Sequence, residues 1–304
     1  MRVVRTILGD ISPSDLGSTD AHEHLFFTSP LQPGDEFADV RAAIEEVRFL
    51  QDAGARALVD WTPIGLGRDL AGLREVAVAT GLHVVAATGL HRDGHYATDE
   101  PLRRESTEAL AQRFVDDVTD GALPSGVIKI GASYHHLTIF ERRVFEAAAV
   151  AHAETGVPLC VHTENGTMGL ELVEILGALG VEPRSIVLAH LDRNPDAGEH
   201  AEIGQAGAWL QYDGPGRAKY WPDSTILALI EAVVERGLSA RILLGGDTGR
   251  RSSMRAYGGG PGLDYVFRRF KPRLERELGH DLSDAIFVHN PSAAFSFAPL
   301  DSHA

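Results

Sequence analysis

Two histidines stand two positions apart in the segment AHEHL. They are His22 and His24, and they follow the first predicted strand of the chain. In a β-strand, residues i and i+2 point to the same face, so both imidazoles can bind one metal ion. Such a pair is also common at protein surfaces, so its interpretation depends on the residues that accompany it.

Three further polar side chains close apolar segments later in the chain. His162 ends PLCVH, His190 ends IVLAH, and Asp247 directly follows ILLGG. Imidazole nitrogens and carboxylate oxygens are ligands that zinc and similar divalent ions take from proteins. The three residues occupy equivalent positions at the ends of predicted strands, which makes them candidates for one site.

A lysine interrupts the apolar segment VIKIG. Burial of the charged ammonium group of Lys129 in a strand costs several kcal/mol unless the group is paired or neutralised. One interpretation is a lowered pKa, with a free amine that reacts with carbon dioxide to give a carbamate able to bridge two metal ions. The alternative is a lysine held in an ion pair, and the sequence leaves both open.

Short apolar segments alternate with longer segments of helical spacing. We predict eight buried strands, at Ser18 to Ala21, Ala57 to Trp61, His83 to Thr88, Val127 to Gly131, Pro158 to His162, Ile186 to His190, Trp209 to Tyr212 and Ile242 to Gly246. Helices are predicted between them, for instance at Ala38 to Ala53, Thr98 to Asp120, Leu137 to Thr155, Thr167 to Leu179 and Asp223 to Arg236. This alternation predicts an α/β fold: a single-domain (β/α)8 TIM barrel over residues 1–304, with a short amino-terminal extension. A doubly wound nucleotide-binding sheet is disfavoured, because the chain has neither a GxxxxGK[ST] nor a GxGxxG segment.

A barrel brings the carboxyl ends of all its strands to one mouth. His22, His24, His162, His190 and Asp247 then converge, although they are spread over most of the sequence. If the convergence were accidental, each of these residues would need a separate structural role. The sequence therefore predicts a metal site at the mouth of the barrel.

Basic and polar residues follow the last predicted strands, and we regard them as candidates for substrate binding. They are Lys219, Arg250, Arg251, Arg255, Arg193 and Asn194. In barrel enzymes the loops after the seventh and eighth strands often bind phosphate, and Arg and Lys suit a phosphate or a carboxylate. The alternative for the loop arginines is pairing with nearby carboxylates such as Asp213, Asp223 or Asp264. Arg193 and Asn194 follow the sixth strand and are candidates for hydrogen bonds to sugar hydroxyls, and their alternative is to cap the following helix or to support the metal ligands.

The composition restricts the partners and the location. The 28 basic and 43 acidic residues give a formal charge of −15, which disfavours nucleic acids and anionic membranes as partners. No apolar stretch approaches the roughly 20 residues that span a bilayer, and the amino terminus lacks the apolar core of a signal peptide. Cys160 is the only cysteine, so we expect no intrachain disulfide and a cytoplasmic protein. Because Cys160 and His162 share a strand face, a cysteine nucleophile is an alternative, but it leaves the other histidines unexplained.

Seven segments together resemble the phosphotriesterase-like family of the amidohydrolase superfamily. They are AHEHL, GRD, VIKIG, CVHTE, VLAHLD, LLGGD and VHNPS, and the similarity spans nearly the whole chain. The resemblance implies two divalent metal ions, commonly Zn²⁺, with His22, His24 and Asp247 on one ion and His162 and His190 on the other. It also implies a hydroxide and a carbamylated Lys129 (N6-carboxylysine) that bridge the ions, and a homodimer.

The resemblance further implies a metal-dependent hydrolase of ester bonds, in which the bridging hydroxide attacks and Asp247 accepts its proton. It leaves organophosphate triesters, N-acyl-homoserine lactones, other carboxylic esters and sugar lactones open as substrates. The basic loops favour a lactonase for a polar lactone, either a sugar lactone or a phosphorylated one. A metal-binding or ligand-binding protein without catalytic activity is the alternative from another class.

Overall fold

Eight parallel strands form the main sheet of the computed structural model, which describes residues 2–299. In chain order they are β3 (Thr19–Glu23), β4 (Ala57–Asp60), β5 (His83–Gly89), β6 (Val127–Ala132), β7 (Leu159–Thr163), β8 (Ile186–Ala189), β9 (Trp209–Tyr212) and β10 (Ile242–Leu244). Each strand pairs with its neighbour in sequence, from β3 to β10. This order confirms the predicted α/β barrel, and all eight predicted strands form close to their expected positions.

The barrel closes where the candidate metal ligands lie. The backbone N–H of Asp247, just beyond β10, donates a hydrogen bond to the carbonyl oxygen of His22 in β3 at 2.8 Å. Gly245 permits this approach, because a Cβ at that position would lie only 2.6 Å from the backbone nitrogen of His22. The glycine after β10 therefore lets the first and last strands meet.

Helices follow the strands and cover the outside of the barrel. They are α1 (Val40–Asp52), α2 (Leu70–Thr80), α3 (Thr107–Thr119), α4 (Ile139–Thr155), α5 (Gly169–Ala178), α6 (Ala197–Ala206), α7 (Asp223–Val234), α8 (Lys271–Leu278), α9 (His280–Asp284) and α10 (Asn290–Ala294). The helix predicted from Thr98 is shorter than expected: α3 begins only after Ser106, whose side chain caps it, and Pro101 lies in a separate short turn. Within residues 2–299, none of the helices has both the length and the apolar character that crossing a bilayer requires.

The predicted amino-terminal extension forms a small sheet of its own. β1 (Val3–Thr6) pairs antiparallel with β2 (Gly9–Ile11) and with β11 (Ser296–Phe297) near the end of the described chain. Leu16, which follows this sheet, packs with Phe295 in the apolar cluster that contains the inward-facing strand residues Val59 and Val85. The extension and the last strand therefore cover one end of the barrel, and the polar strand ends lie at the other.

Candidate metal centre

His22, His24 and Asp247 bring one ligand atom each within 4.8 Å of one another. Oδ1 of Asp247 lies 3.6 Å from Nε2 of His22 and 3.3 Å from Nε2 of His24. Two ligands of a tetrahedral zinc ion, each about 2.1 Å from the metal, are themselves about 3.4 Å apart. The spacing of these three side chains therefore fits a divalent ion.

The chemistry of the buried histidine nitrogens also fits a metal. Both ring nitrogens of His22 and Nδ1 of His190 are buried and make no hydrogen bond among the described residues. Burial lowers the pKa of His22 to about 4 and that of His190 to about 3, so both rings are neutral near pH 7. Neutral imidazole is the form that binds metal ions.

Thr62 determines which nitrogen of His24 is free. The hydroxyl of Thr62 donates to the carbonyl oxygen of Phe26 at 3.0 Å, so its own proton is already used. It therefore accepts a hydrogen bond from Nδ1–H of His24 at 2.8 Å. This tautomer leaves Nε2, the nitrogen nearest to Asp247, without a proton and available to an ion.

The two remaining predicted histidine ligands lie beside each other. The ring centroids of His162 and His190 are 4.5 Å apart. Nε2 of His162 contacts Oε2 of Glu164 at 2.8 Å, and Nε of Arg92 contacts the same carboxylate oxygen at 2.9 Å. Glu164 is thus a further carboxylate beside the proposed ligands.

Lys129 lies at the floor of the site and is 1% exposed. Its Nζ is 4.3 Å from the ring centroid of Trp61, whose ring also stacks on His22 at 3.9 Å. No carboxylate of the described chain lies within ion-pair distance of Nζ, so the structure does not support the ion-pair alternative. Burial lowers the pKa of Lys129 to about 8, which leaves part of the population as free amine near neutral pH.

Asp213 is a residue that the sequence analysis considered only as a partner for loop arginines. Its Oδ2 instead lies 2.9 Å from Nδ1 of His190 and 3.2 Å from Nδ1 of His22. These three residues form a second group with the spacing of metal ligands. Asp213 directly follows β9, just as His190 directly follows β8. This equivalent position at a strand end could have identified Asp213 as a candidate ligand from the sequence.

His190 and Asp247 both have backbone conformations that are unusual for residues other than glycine. Their φ angles are +66° and +47°, in the left-handed region. Such conformations cost of order 1–3 kcal/mol and persist where the surrounding structure enforces them. The turns after β8 and β10 therefore hold strain at the positions that direct these side chains into the site.

A cavity of about 800 Å³ opens above these residues. Of the predicted substrate-binding residues, Arg193, Lys219 and Arg250 line it. The other three lie outside it: Arg255 pairs with Asp264 at 2.7 Å, Arg251 packs on Tyr257, and Asn194 donates to Glu199. For Arg255 this is the carboxylate pairing that was held open above, and Arg250 is likewise paired, with Nη1 at 3.2 Å from Oδ2 of Asp35.

Arg217 also lines the cavity, and the sequence analysis missed it. Nη1 of Arg217 lies 2.9 Å from Oδ2 of Asp247, and Nη2 of Arg193 lies 3.1 Å from the same oxygen. Burial works to raise the pKa of Asp247, but Arg217 and the neighbouring histidines hold that pKa well below its usual range. Asp247 is therefore a carboxylate throughout the working pH range.

The interior cysteine has no comparable setting. Cys160 packs among apolar side chains inside the barrel, and burial raises the pKa of its thiol far above the ordinary value. A thiol that stays protonated is a poor nucleophile. The geometry of the site therefore fits metal ligation better than cysteine chemistry.

The model of the phosphotriesterase family matches residues 2–295 of the chain. The chain belongs to the phosphotriesterase family. Its relatives in that family are hydrolases, and this member is accordingly a hydrolase.

Three relatives show which proteins this phosphotriesterase-family member is similar to. It is 34% identical to the phosphotriesterase homology protein of Escherichia coli, over 92% of this chain and 98% of the relative. It is 33% identical to the phospho-furanose lactonase of Mycoplasmopsis synoviae, over 97% of this chain and 92% of the relative. A crystal structure of a lactonase from Listeria monocytogenes, 31% identical, superposes with a TM-score of 0.91 and covers 97% of this chain and 99% of the other.

Proposed function

We propose that this hydrolase is a lactonase that opens a phosphorylated sugar lactone at a centre of two divalent metal ions. The observation that carries the proposal is the lining of the cavity above the histidine cluster. Its lining carries five basic side chains against two carboxylates, in a chain whose formal charge is −15: Arg92, Arg193, Arg217, Lys219 and Arg250 against Glu164 and Asp247. A cationic cavity in an acidic protein favours a small anionic substrate.

The names of the relatives support the same substrate class. The Mycoplasmopsis relative is a phospho-furanose lactonase, and the Listeria structure is that of a lactonase. The crystal structure of the Escherichia coli relative is described as having phosphate in its active site. A lactone that carries a phosphate group is consistent with all three.

We assign two ligand sets for the metals. His22, His24 and Asp247 would hold one ion, His162 and His190 would hold the other, and a carbamylated Lys129 would supply further oxygen ligands. When bound, two divalent ions, such as Zn²⁺, lower the pKa of a bound water toward about 7 and polarise a substrate carbonyl. These are the requirements for opening a lactone at neutral pH.

The protein's own groups then orient the substrate and move its protons. Lys219 and Arg250 lie toward the opening of the cavity, where they bind the phosphate. Asp247 accepts a proton from the attacking water and passes it to the ring oxygen as the acyl bond breaks. Its low pKa, caused by Arg217 and the neighbouring histidines, prevents it from retaining that proton.

Turnover of a matched lactone panel tests the proposal. Zinc-loaded protein is assayed with furanose lactones that do or do not carry a 5-phosphate, with an acyl-homoserine lactone and with a paraoxon-type triester. We expect kcat/KM to be highest, by at least about tenfold, for a phosphorylated lactone. Preference for the acyl lactone or the triester would show that the basic side chains serve another purpose.

A further inference from the structure

Two arginines of the cavity contact the same carboxylate oxygen. Arg193 and Arg217 come from the loops after β8 and β9, and both place a guanidinium nitrogen within 3.1 Å of Oδ2 of Asp247. Their side chains are only 9% and 22% exposed. Two positive charges therefore lie deep in the cavity beside the proposed site of bond cleavage.

Both guanidinium groups are held in place without a ligand. Nε of Arg217 donates to the carbonyl oxygen of Gly246 at 3.0 Å. The guanidinium of Arg193 lies 4.7 Å from the ring centroid of Tyr220. The backbone carbonyl of Arg193 accepts a hydrogen bond from Nε1 of Trp221. Groups that are already ordered lose little conformational entropy when an anion binds.

Asp247 neutralises only part of this positive charge. Its Oδ1 faces His22 and His24, so a single carboxylate is shared between the histidine cluster and two guanidinium groups. The other basic pair is nearer to solvent, because Lys219 is exposed and the side chain of Arg250 is 49% exposed. The cavity thus has an inner and an outer cationic pair.

We propose that Arg193 and Arg217 form a carboxylate subsite that binds the acid group of the reaction product. The inference rests on the proposed lactonase reaction. Attack of water breaks the bond between the acyl carbon and the ring oxygen, the ring oxygen takes one proton to become a hydroxyl, and the new acid releases the other to solvent. A phosphorylated lactone carries one anionic group and its product carries two, which match the outer and inner pairs.

Calorimetric binding of two inert compounds to the zinc-loaded protein tests this subsite. One is a pentonate 5-phosphate, and the other is the corresponding pentitol 5-phosphate, in which a hydroxymethyl group replaces the carboxylate. We expect the wild type to bind the pentonate phosphate at least about tenfold more tightly, and Arg217→Met to abolish this preference. Lys219→Met is the matched control, because it removes a contact to the phosphate that both compounds share and should weaken both equally.

Equal binding of the two compounds by the wild type, or a preference that survives in zinc-loaded Arg217→Met, would overturn the proposal. If the methionine variant loses zinc, Arg217→Lys is used, which keeps the charge but loses the planar fork. With full zinc it should show a reduced preference, and an unchanged preference would likewise overturn the proposal. These measurements need no turnover, so a protein that hydrolyses no lactone yet shows the Arg217-dependent preference would refute the proposed reaction and retain the subsite.

Discussion

At the scale of single residues, Lys219 separates phosphate binding from the chemistry of the metal centre. Replacement by methionine removes a positive charge from the cavity lining without touching a proposed ligand. We expect Lys219→Met to raise KM for a phosphorylated lactone about tenfold and to leave an unphosphorylated lactone nearly unchanged. Arg251→Met is the control, because Arg251 packs on Tyr257 outside the cavity. Similar effects of both variants on both substrates would contradict a phosphate role.

Lys129 carries the second residue-scale prediction. If its amine forms a carbamate, uptake of zinc by metal-free protein depends on carbon dioxide. We expect bicarbonate to increase the amount of zinc bound per chain over that taken up in carbonate-free buffer, as measured by elemental analysis after desalting. Lys129→Met, which fills a similar space beside Trp61, should show no such dependence. Uptake by the wild type that is independent of bicarbonate would argue against the carbamate.

The sequence was most informative about residues whose positions follow from the strands themselves. His162 lies in β7, and His190 and Asp247 follow β8 and β10, so apolar patterning alone located them. The direction of a loop side chain depends on tertiary contacts that no local pattern encodes. For this reason the sequence did not show that Arg255 pairs with Asp264, or that Arg217 contacts Asp247.

At the scale of elements, closure between β3 and β10 should be sensitive to one methyl group. Gly245→Ala places a Cβ against the backbone of His22, so the two strands must separate. We expect a loss of about 2 kcal/mol or more in the free energy of unfolding, together with weaker zinc binding, because His22 lies in β3 and Asp247 lies just beyond β10.

Gly177→Ala is a suitable control for that variant, measured by chemical denaturation and zinc titration. Gly177 lies inside α5, and a Cβ there meets no atom within 4 Å. The change should stabilise the protein slightly, by about 0.5–1 kcal/mol, since alanine favours helix. A Gly245→Ala variant as stable as this control would show that the approach of β3 and β10 is not needed.

Strands and helices differed in how well the sequence located them. The strands are continuous apolar segments that are buried on both sides, so their positions were predicted closely. α6 was not among the helices that we named from the sequence, and it contains two glycines in the segment AGEHAEIGQA. Its helical pattern is weak because glycine disfavours helix locally and packing against the barrel compensates.

At the scale of the whole molecule, the buried histidines link stability to pH. Burial lowers the pKa of His22 from its ordinary 6.5 to about 4, so between these values the unfolded chain binds more protons than the folded chain. His22 therefore contributes to the free energy of unfolding above about pH 6.5, and this contribution is lost as the pH falls toward 4. Asp192, whose pKa burial raises to about 7, acts in the opposite direction, so the two contributions must be separated.

Comparison of His22→Asn with the wild type in a metal chelator provides that separation, because the contribution of Asp192 is common to both. Between pH 7 and pH 5 the wild type should lose about 2 kcal/mol more unfolding free energy than the variant. Chemical denaturation at each pH measures the difference. Parallel pH profiles for the two proteins would show that His22 is not held neutral by burial.

Hydrolysis as a function of bound metal tests the central claim most directly. Metal-free protein is titrated with zinc in the presence of bicarbonate, and the initial rate of opening of a furanose lactone 5-phosphate is followed by proton release. We expect no turnover without metal and a rate that stops rising at two equivalents of zinc per chain. Full activity without metal, saturation at one equivalent, or no hydrolysis at any zinc concentration would contradict a two-metal lactonase.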